Sequence, residues 1–458
     1  MRATQVKETT ALTIRRWKMA KERTEHREQG VWSSDNEQDY KQEMKEFEQR
    51  NSALLKKKLL LRRTRKYRLF PTRSQQKTLR KFMGTCRWTY NQAVAHFRAT
   101  NESNALSLTT LYVTKTSKMT RTYPDGMGSP PEWAFETPSS MRSNIMRALQ
   151  TNVKSAFSNL KSGNIKQFNI QFSSKKKSPN FTFSENGRSA KIEQKQSAFC
   201  LSVSKLKDIR VKMDRPVDIT SESDIMYSNG FWYVAIPELV EPDPYEYRGT
   251  CIALDPGTKA FMTGVDLEGN VLEFGRDNKT RLNAIRKRQD AAQSLMAKFK
   301  NQKTKSKRWQ YRSYVRAKRT FMSCTAKLKN CVKELHYKTC AYLTKNYDAI
   351  LLPIFKTKEM VKKSSTRNHG FNKSMLSLNH YQFRQLLLAK CEVKGKAVVV
   401  CSEMYTSQTC GRCYRLHAKL GSSDVFTCPH CSYSVGRDVN AALNILCYVC
   451  AGSLQVYH

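Results

Sequence analysis

CIALDPGTKAFMTGVDLEGNVLEFG, running from Cys251 to Gly275, is the stretch that decides the fold. Three strand-like runs are separated by a Pro-Gly turn and a Glu-Gly-Asn turn, the pattern of an antiparallel meander. Downstream the pattern alternates between helix and strand. A basic helical segment covers about 280–345, YDAILLPIF (Tyr347 to Phe355) is an apolar strand, HYQFRQLLLAKCE (His380 to Glu392) is an amphipathic helix, and KAVVVCSEM (Lys396 to Met404) is a second apolar strand. VNAALNILCYVC (Val439 to Cys450) closes as a helix. A meander followed by helix, strand, helix, strand predicts an α/β unit over 249–458, with a mixed sheet whose last strands are parallel and joined by helical crossovers.

Upstream the text is of another kind. KYRLFPT (Lys66 to Thr72) alternates like a strand and stops at Pro71; Leu79, Phe82, Met83, Cys86 and Tyr90 then recur at helical spacing. A second helix carries Met141, Ile145, Leu149, Val153, Ala156 and Leu160, and YPDGMGSPPEW (Tyr123 to Trp133) connects the two. From 166 to about 240, short alternating runs such as AFCLSV, IRVKM and FWYVAIP predict a small β-barrel. Residues 63–248 thus read as a β-region (63–77 and 166–248) interrupted by a helical insertion (78–165). Residues 1–62 are a charged extension whose end, Lys56 to Arg68, holds eight basic residues and no acid. A solvated helix and a localisation or nucleic-acid-contacting arm both fit it.

The chain has 458 residues, with 81 Lys and Arg against 38 Asp and Glu, a formal charge of +43. Such a surface gathers polyanions, so phosphate backbones are the expected partner. At 39% hydrophobic and 10% aromatic residues the chain is not a disordered basic tail. The first twenty residues carry no apolar signal and no run of about 18 apolar residues occurs, so a soluble, intracellular protein is expected. The 14 cysteines then read as thiols and metal ligands rather than a disulfide framework. Residues 281–319 carry fourteen Lys and Arg against the single acid Asp290, with Trp309, Tyr311 and Tyr314 interleaved. An exposed basic helix pair tracking a phosphate backbone fits this pattern, and so does a solvated face with aromatic core contacts.

Two motifs carry chemistry. Cys410-Gly-Arg-Cys413 and Cys428-Pro-His-Cys431 stand fourteen residues apart, a spacing at which four thiolates converge on a tetrahedral Zn²⁺. With all four positions filled by sulfur, such an ion is structural. Cys447 and Cys450 form a further CxxC on a helix with no second pair and read as core. The second motif is a set of acids: Asp255 at the end of the first apolar strand, Glu403 closing KAVVVCSEM, and Asp438 opening the last helix. Singly each has an ordinary reading as a turn or helix-start residue. Together, in a basic chain, they are the ingredients of a two-metal Mg²⁺ site for phosphodiester hydrolysis.

The order LDPG, a strand-ending acid, YTSQTCGRC, CPHC and GRDVNAALNIL resembles the TnpB and Fanzor nucleases, relatives of the type V CRISPR effectors. KYRLFPTRSQQKTLRKFMGTCRWTYNQAV is similar to that family's opening and YQFRQLLLAKCEVKG to its late helix, so the resemblance spans about 63–446. It implies a multidomain α/β fold: a wedge β-barrel with an inserted helical recognition lobe, then an RNase H-like RuvC nuclease domain with an embedded zinc finger (405–436). It also implies an RNA-guided DNA endonuclease, a monomeric ribonucleoprotein whose guide (omega RNA) pairs with target double-stranded DNA beside a short flanking motif. In most TnpB proteins the strand resembling YDAILLPIF ends in a catalytic Glu, whereas here Pro353 stands in that place. The Fanzor group is similar to this chain in carrying the acid before YTSQTC instead, which assigns Asp255, Glu403 and Asp438, with Glu359 and Asp266 as substitutes. If the sheet is RNase H-like, the two strands concerned are neighbours about 4.8 Å apart, within reach of a relocated Glu.

The resemblance to the eukaryotic group and the basic arm together imply a nuclear, transposon-derived nuclease. A zinc-ribbon binder whose site has decayed, with Pro353 as the scar, and a DNA transposase using the same acids are the alternatives. Arg437 and Asn440 are candidates for phosphate contact or site support, and Trp88, Tyr90 and Asn91 for contact with the flanking motif or for packing within the recognition lobe.

Overall fold

The computed structural model describes residues 42, 61–115, 122–124, 126–174, 181–185, 190–195, 198–244, 248–257, 259–276, 278–300, 308–355, 369–402, 404–418, 420–421, 423–450 and 456–457. The chain forms two compact units that part after Val240. Among the described residues no helix is long and apolar enough to cross a membrane.

The first unit is a seven-stranded sheet with helices. Its strands are β1 (Leu61–Phe70), β2 (Phe181–Glu185), β3 (Lys191–Lys195), β4 (Ala198–Val203), β5 (Leu206–Lys212), β6 (Ser223–Ser228) and β7 (Phe231–Val240), in the order β2-β6-β7-β1-β5-β4-β3. β2 and β3 are therefore the two edges, and they do not pair among the described residues. Helix α1 (Arg73–Thr100) starts where Pro71 ends the strand: the Thr72 hydroxyl accepts from Gln75 N–H while the Gln75 side chain accepts from Thr72 N–H, a capping box. Its predicted apolar face is buried, with Leu79, Phe82, Met83 and Cys86 in one core with Leu201, Ile209, Ile225 and Trp232 of the sheet. Farther along, Ala93, Val94 and Phe97 pack with α2 (Ala105–Tyr112) and α3 (Ser139–Lys161). The apolar stripe of α3 is shorter than its periodicity predicts: Met141 through Val153 are buried, but Leu160 is exposed.

The second unit holds a six-stranded sheet of order β10-β9-β8-β11-β12-β15. Strands β8 (Cys251–Pro256), β9 (Met262–Asp266) and β10 (Val271–Phe274) are antiparallel neighbours, as the meander predicts. β11 (Ala349–Pro353) runs parallel to β8 and to β12 (Ala397–Cys401), β13 (Val425–Thr427) and β14 (Ser434–Gly436) form a separate antiparallel pair in the cysteine segment, and β15 (Val456–Tyr457) edges the six-stranded sheet. The crossovers are the paired helices α4 (Asn278–Lys300) and α5 (Arg308–Asn346), then α6 (His369–Leu378) and α7 (His380–Lys394); α8 (Arg437–Cys450) follows the cysteine knuckles. Strand alternation sorts the two faces. Ile252, Leu254, Ile350, Leu352 and Val398 pack with α5 and α7 through Leu335, Leu343, Phe383 and Leu387. The opposite face carries the small residues Cys251, Ala253, Ala349, Ala397 and Cys401 beside Val265, Leu351 and Val399, and α8 packs on it through Ala442, Ile445 and Leu446.

At the N-terminal ends of the parallel strands a buried carboxylate does the fastening. Asp348 accepts from the N–H groups of Arg248 and Thr250 and pairs with Lys396 at 2.6 Å. At the other end, the turn between β8 and β9 is held by Phe261, which stacks on His336 and His380 with ring centroids 5.1 and 5.0 Å apart. His336 donates Nε2–H to Leu378 O, whereas both ring nitrogens of His380 are buried without a hydrogen-bond partner among the described residues.

Burial pushes the His380 pKa from its usual 6.5 down to about 3, helped by His336. The unfolded chain therefore takes up a proton that the folded one refuses, so stability is lost as pH falls from about 6.5 toward 3. His380→Phe keeps the stack and removes this pH dependence. Chemical denaturation at several pH values should show a flatter acid limb for the variant than for the parent; identical limbs would contradict the assignment.

Candidate active site and metal centre

The four cysteines of the two CxxC motifs come together, with every sulfur within 4.8 Å of the others. Cys410 Sγ lies 3.6 Å from Cys431 Sγ, and Cys413 Sγ lies 3.6 Å from Cys428 Sγ. A tetrahedron with Zn–S bonds of about 2.3 Å has edges of about 3.8 Å, so the cluster has the size such an ion requires. The two knuckles repeat one another. Arg412 N–H points at Cys410 Sγ as His430 N–H does at Cys428 Sγ, and Tyr414 N–H bonds Cys410 O as Ser432 N–H bonds Cys428 O. Tyr414 and Ser432, each just after the second cysteine of its pair, both take left-handed φ, at 58° and 56°. Cys447 and Cys450 stand outside the cluster, Cys450 packing partly against the sheet core.

The first knuckle is clamped to α8 by two fully buried amides. Asn440 accepts from Gly411 N–H at 3.0 Å and donates to Thr409 O at 2.7 Å, while Asn444, one turn on, donates to Thr406 O and Thr409 O. The approach is so close that a Cβ on Gly411 would stand 2.7 Å from Leu443 Cδ2. Asn440 thus supports the site, and Asn444, which sequence reasoning read only as a helix residue, does the same. Arg437 is also occupied structurally: its guanidinium donates to Gly421 O and its N–H to Asp424 O.

Of the three proposed acids, the structure describes two. Asp255 shares strand parity with Cys251 and Ala253, so it belongs to the sheet face that α8 covers, and Asp438 lies in the first turn of α8. The Asp438 carboxylate lies against the backbone just beyond Asp255: a Cβ on Gly257 would be 3.3 Å from its Oδ2 and 2.8 Å from Ala260 O. Desolvation raises the Asp438 pKa, opposed by Arg437 and Lys259 and reinforced by Asp424 and Glu273. A bound cation relieves such a desolvated carboxylate, and oxygen donors of this kind suit Mg²⁺.

Glu403 and Glu359 lie outside the described residues. Cys401, two residues before Glu403, ends β12 on the α8 face, and it pairs with Pro353 of β11 in the parallel register. Asp266 is not available as a substitute. It pairs with Ile252, at the far end of the hairpin from Asp255, and both its oxygens are taken by Glu268 N–H, Asn270 and the Tyr347 hydroxyl.

Two other expectations resolve differently. Trp309 and Tyr311 of α5 are 57% and 72% exposed, so they are surface aromatics among cations rather than core contacts. Asn91 instead spends its amide on the Ser173 backbone in both directions, Trp88 packs edge-on against Trp133, and Tyr90 is partly buried between the two cores of the first unit.

Cys410→Ser should leave the protein below one zinc per chain and lower its melting temperature. Asn440→Ala should keep the full zinc content yet cost about 1–3 kcal/mol, because the Gly411 N–H it served loses its acceptor while Thr409 O keeps Asn444. Metal analysis beside thermal unfolding checks both; full zinc in Cys410→Ser would remove that residue from the ligand set.

Comparison with known proteins gives two local matches and several long ones. The Cas12f1-like TNB domain model matches residues 380–445, which include α7, both cysteine knuckles and Asp438. A helix-turn-helix domain model of the OrfB/IS605 group matches residues 61–103, where this structure has β1 and the single helix α1. A putative transposase, A625R of Paramecium bursaria Chlorella virus 1, is 27% identical over 388 residues, 84% of this chain and 86% of its own. A putative RNA-guided DNA endonuclease, InsQ of Escherichia coli (strain K12), is 25% identical over 398 residues, 83% of this chain and 90% of its own. Among solved structures, the mini-RNA-guided endonuclease CRISPR-Cas_phi3 aligns over 85% of this chain and 92% of its own at 9% identity and a TM-score of 0.49. The chain is thus similar over more than four fifths of its length to proteins named putative transposase and putative RNA-guided DNA endonuclease, and locally to the Cas12f1-like TNB and OrfB/IS605 helix-turn-helix models.

Proposed function

We propose that this chain is an RNA-guided, Mg²⁺-dependent DNA endonuclease of the Fanzor group that cuts double-stranded DNA beside a short flanking motif. The observation that carries the reading is that the Asp438 carboxylate lies against Gly257, two residues beyond Asp255 at the end of β8, although Asp255 and Asp438 are 183 residues apart in the sequence. In this reading residues 249–458 are the RuvC domain, 405–436 its zinc finger, and 63–248 a wedge barrel with a recognition insertion at 78–165. Asp255, Glu403 and Asp438 would hold the Mg²⁺ pair. Bound there, the ions would supply charge neutralisation at the scissile phosphate and activation of water.

The chain's own residues do the rest. Gly257 lets the backbone after Asp255 lie against the Asp438 carboxylate, and the Asn440 and Asn444 amides fix α8 so that Asp438 does not drift. Cys410, Cys413, Cys428 and Cys431 would hold a structural Zn²⁺ that keeps those amides supplied with partners. A net +43 and the exposed Trp309 and Tyr311 suit a bound guide RNA (omega RNA) and its heteroduplex with DNA, in a monomeric ribonucleoprotein acting in the nucleus. The single observation favouring a second reading is Pro353, where a carboxylate would complete the edge: if Glu403 does not replace it, the chain is a nucleic-acid binder without turnover.

Asp255→Ala and Asp438→Ala should each lower guided cleavage about 10³-fold or more, since each removes several kcal/mol of charge stabilisation, while RNA binding persists. Undiminished cleavage by either would overturn the site. Glu403→Ala tests the relocation separately, and full activity in that variant would return Glu359 to the site.

A further inference from the structure

Beyond Asp255 the β8–β9 turn forms one wall of a shallow, part-open cleft. Three cations line it: Lys259 from the turn, and Lys279 and Arg286 from α4, where their spacing with Leu282 puts them on one helical face. Arg286 is 8% exposed, and its guanidinium donates to the neutral oxygens Asn283 Oδ1 and Ser377 Oγ. Burial lowers its pKa, but a guanidinium stays charged in proteins, so the cleft carries a fixed positive charge in its wall. Gly275 keeps the rim thin: its φ of +76° excludes most side chains, and a Cβ there would stand 2.7 Å from Leu335 Cδ1.

An acid already competes for these cations. Asp424, in the zinc-finger segment, forms an ion pair with Lys259, and Lys279 and Arg437 add to the field that holds its carboxyl below the usual range. Both partners are more than half exposed, so the pair is a weak one that a better anion can displace. Lys259 also acts on Asp438, which makes the cleft and the acid site electrostatic neighbours sharing one lysine.

We propose that this cleft binds a backbone phosphodiester of the DNA strand delivered to Asp255 and Asp438, with Lys259 and Lys279 on the phosphate oxygens, Arg286 in the wall and Asp424 as the carboxylate displaced on binding. The identity of the strand rests on the nuclease reading; the cation cleft does not. Phosphate contacts of this kind hold a strand in register without reading its sequence.

The test uses the protein with whatever RNA it retains, in EDTA so that nothing is cut, titrated with a labelled single-stranded DNA carrying no match to that RNA, at several salt concentrations. Lys279→Ala should weaken binding several-fold and reduce the slope of log K against log [salt] by about 0.7, the share of one single-strand phosphate contact. Asp424→Asn should tighten binding, a change of sign that mere structural damage does not produce. With Mg²⁺ and a matched target, Lys279→Ala should raise KM and leave kcat alone. An unchanged slope for Lys279→Ala, weaker binding by Asp424→Asn, or a loss of affinity for RNA in place of DNA would each overturn the cleft. Binding as expected without cleavage of any matched target would support the cleft and overturn the nuclease reading instead.

Discussion

Helix α8 can hold the Asp438 carboxylate in place only if both of its sides are held, and the structure depends on that double attachment. One side lies on the small residues of β8, β11 and β12; another offers Asn440 and Asn444 to the backbone of the first cysteine knuckle. Each buried amide left without its partners would cost about 1–3 kcal/mol, so the knuckle and the helix fold as one piece. A metal in the four-cysteine cluster would therefore be felt at Asp438: it would fix the knuckle, which holds α8 and so Asp438.

Charge is managed differently at the two ends of the same sheet. At the N-terminal ends of β8 and β11, Asp348 is buried but fully compensated by two N–H groups and Lys396. At the C-terminal ends, burial raises the Asp438 carboxyl even though Arg437 and Lys259 work against the shift. A carboxylate kept partly desolvated near a polycationic cleft is poised for a cation and for the anion that the cation attracts. The first end is neutralised by its own partners, whereas burial keeps the carboxyl at the second end raised.

Much of this architecture is written locally. The Pro-Gly and Glu-Gly-Asn turns announce β8, β9 and β10; the five-residue apolar runs announce two buried parallel strands; and the CxxC spacing brings four sulfurs to one point. What stays hidden involves partners far apart in the chain. Asn444 looks like any polar helix residue until its two carbonyl partners, 35 and 38 residues upstream, are known. Lys259 and Asp424 are unremarkable charges 165 residues apart, and Phe261 gives no sign that two histidines will enclose it. Asp266 looked like a spare catalytic acid because composition cannot see that a tight turn and Tyr347 have already used both oxygens. Periodicity likewise extended α3 to Leu160, where the core ends about two turns earlier.

The central claim is that the positive surface serves one defined guide and not polyanions at large. The direct measurement is to express the chain together with its native flanking DNA, purify it through high salt and sequence the RNA that remains. The account predicts a single structured species with one variable end. A heterogeneous mixture of cellular RNA that washes away as salt rises would contradict it.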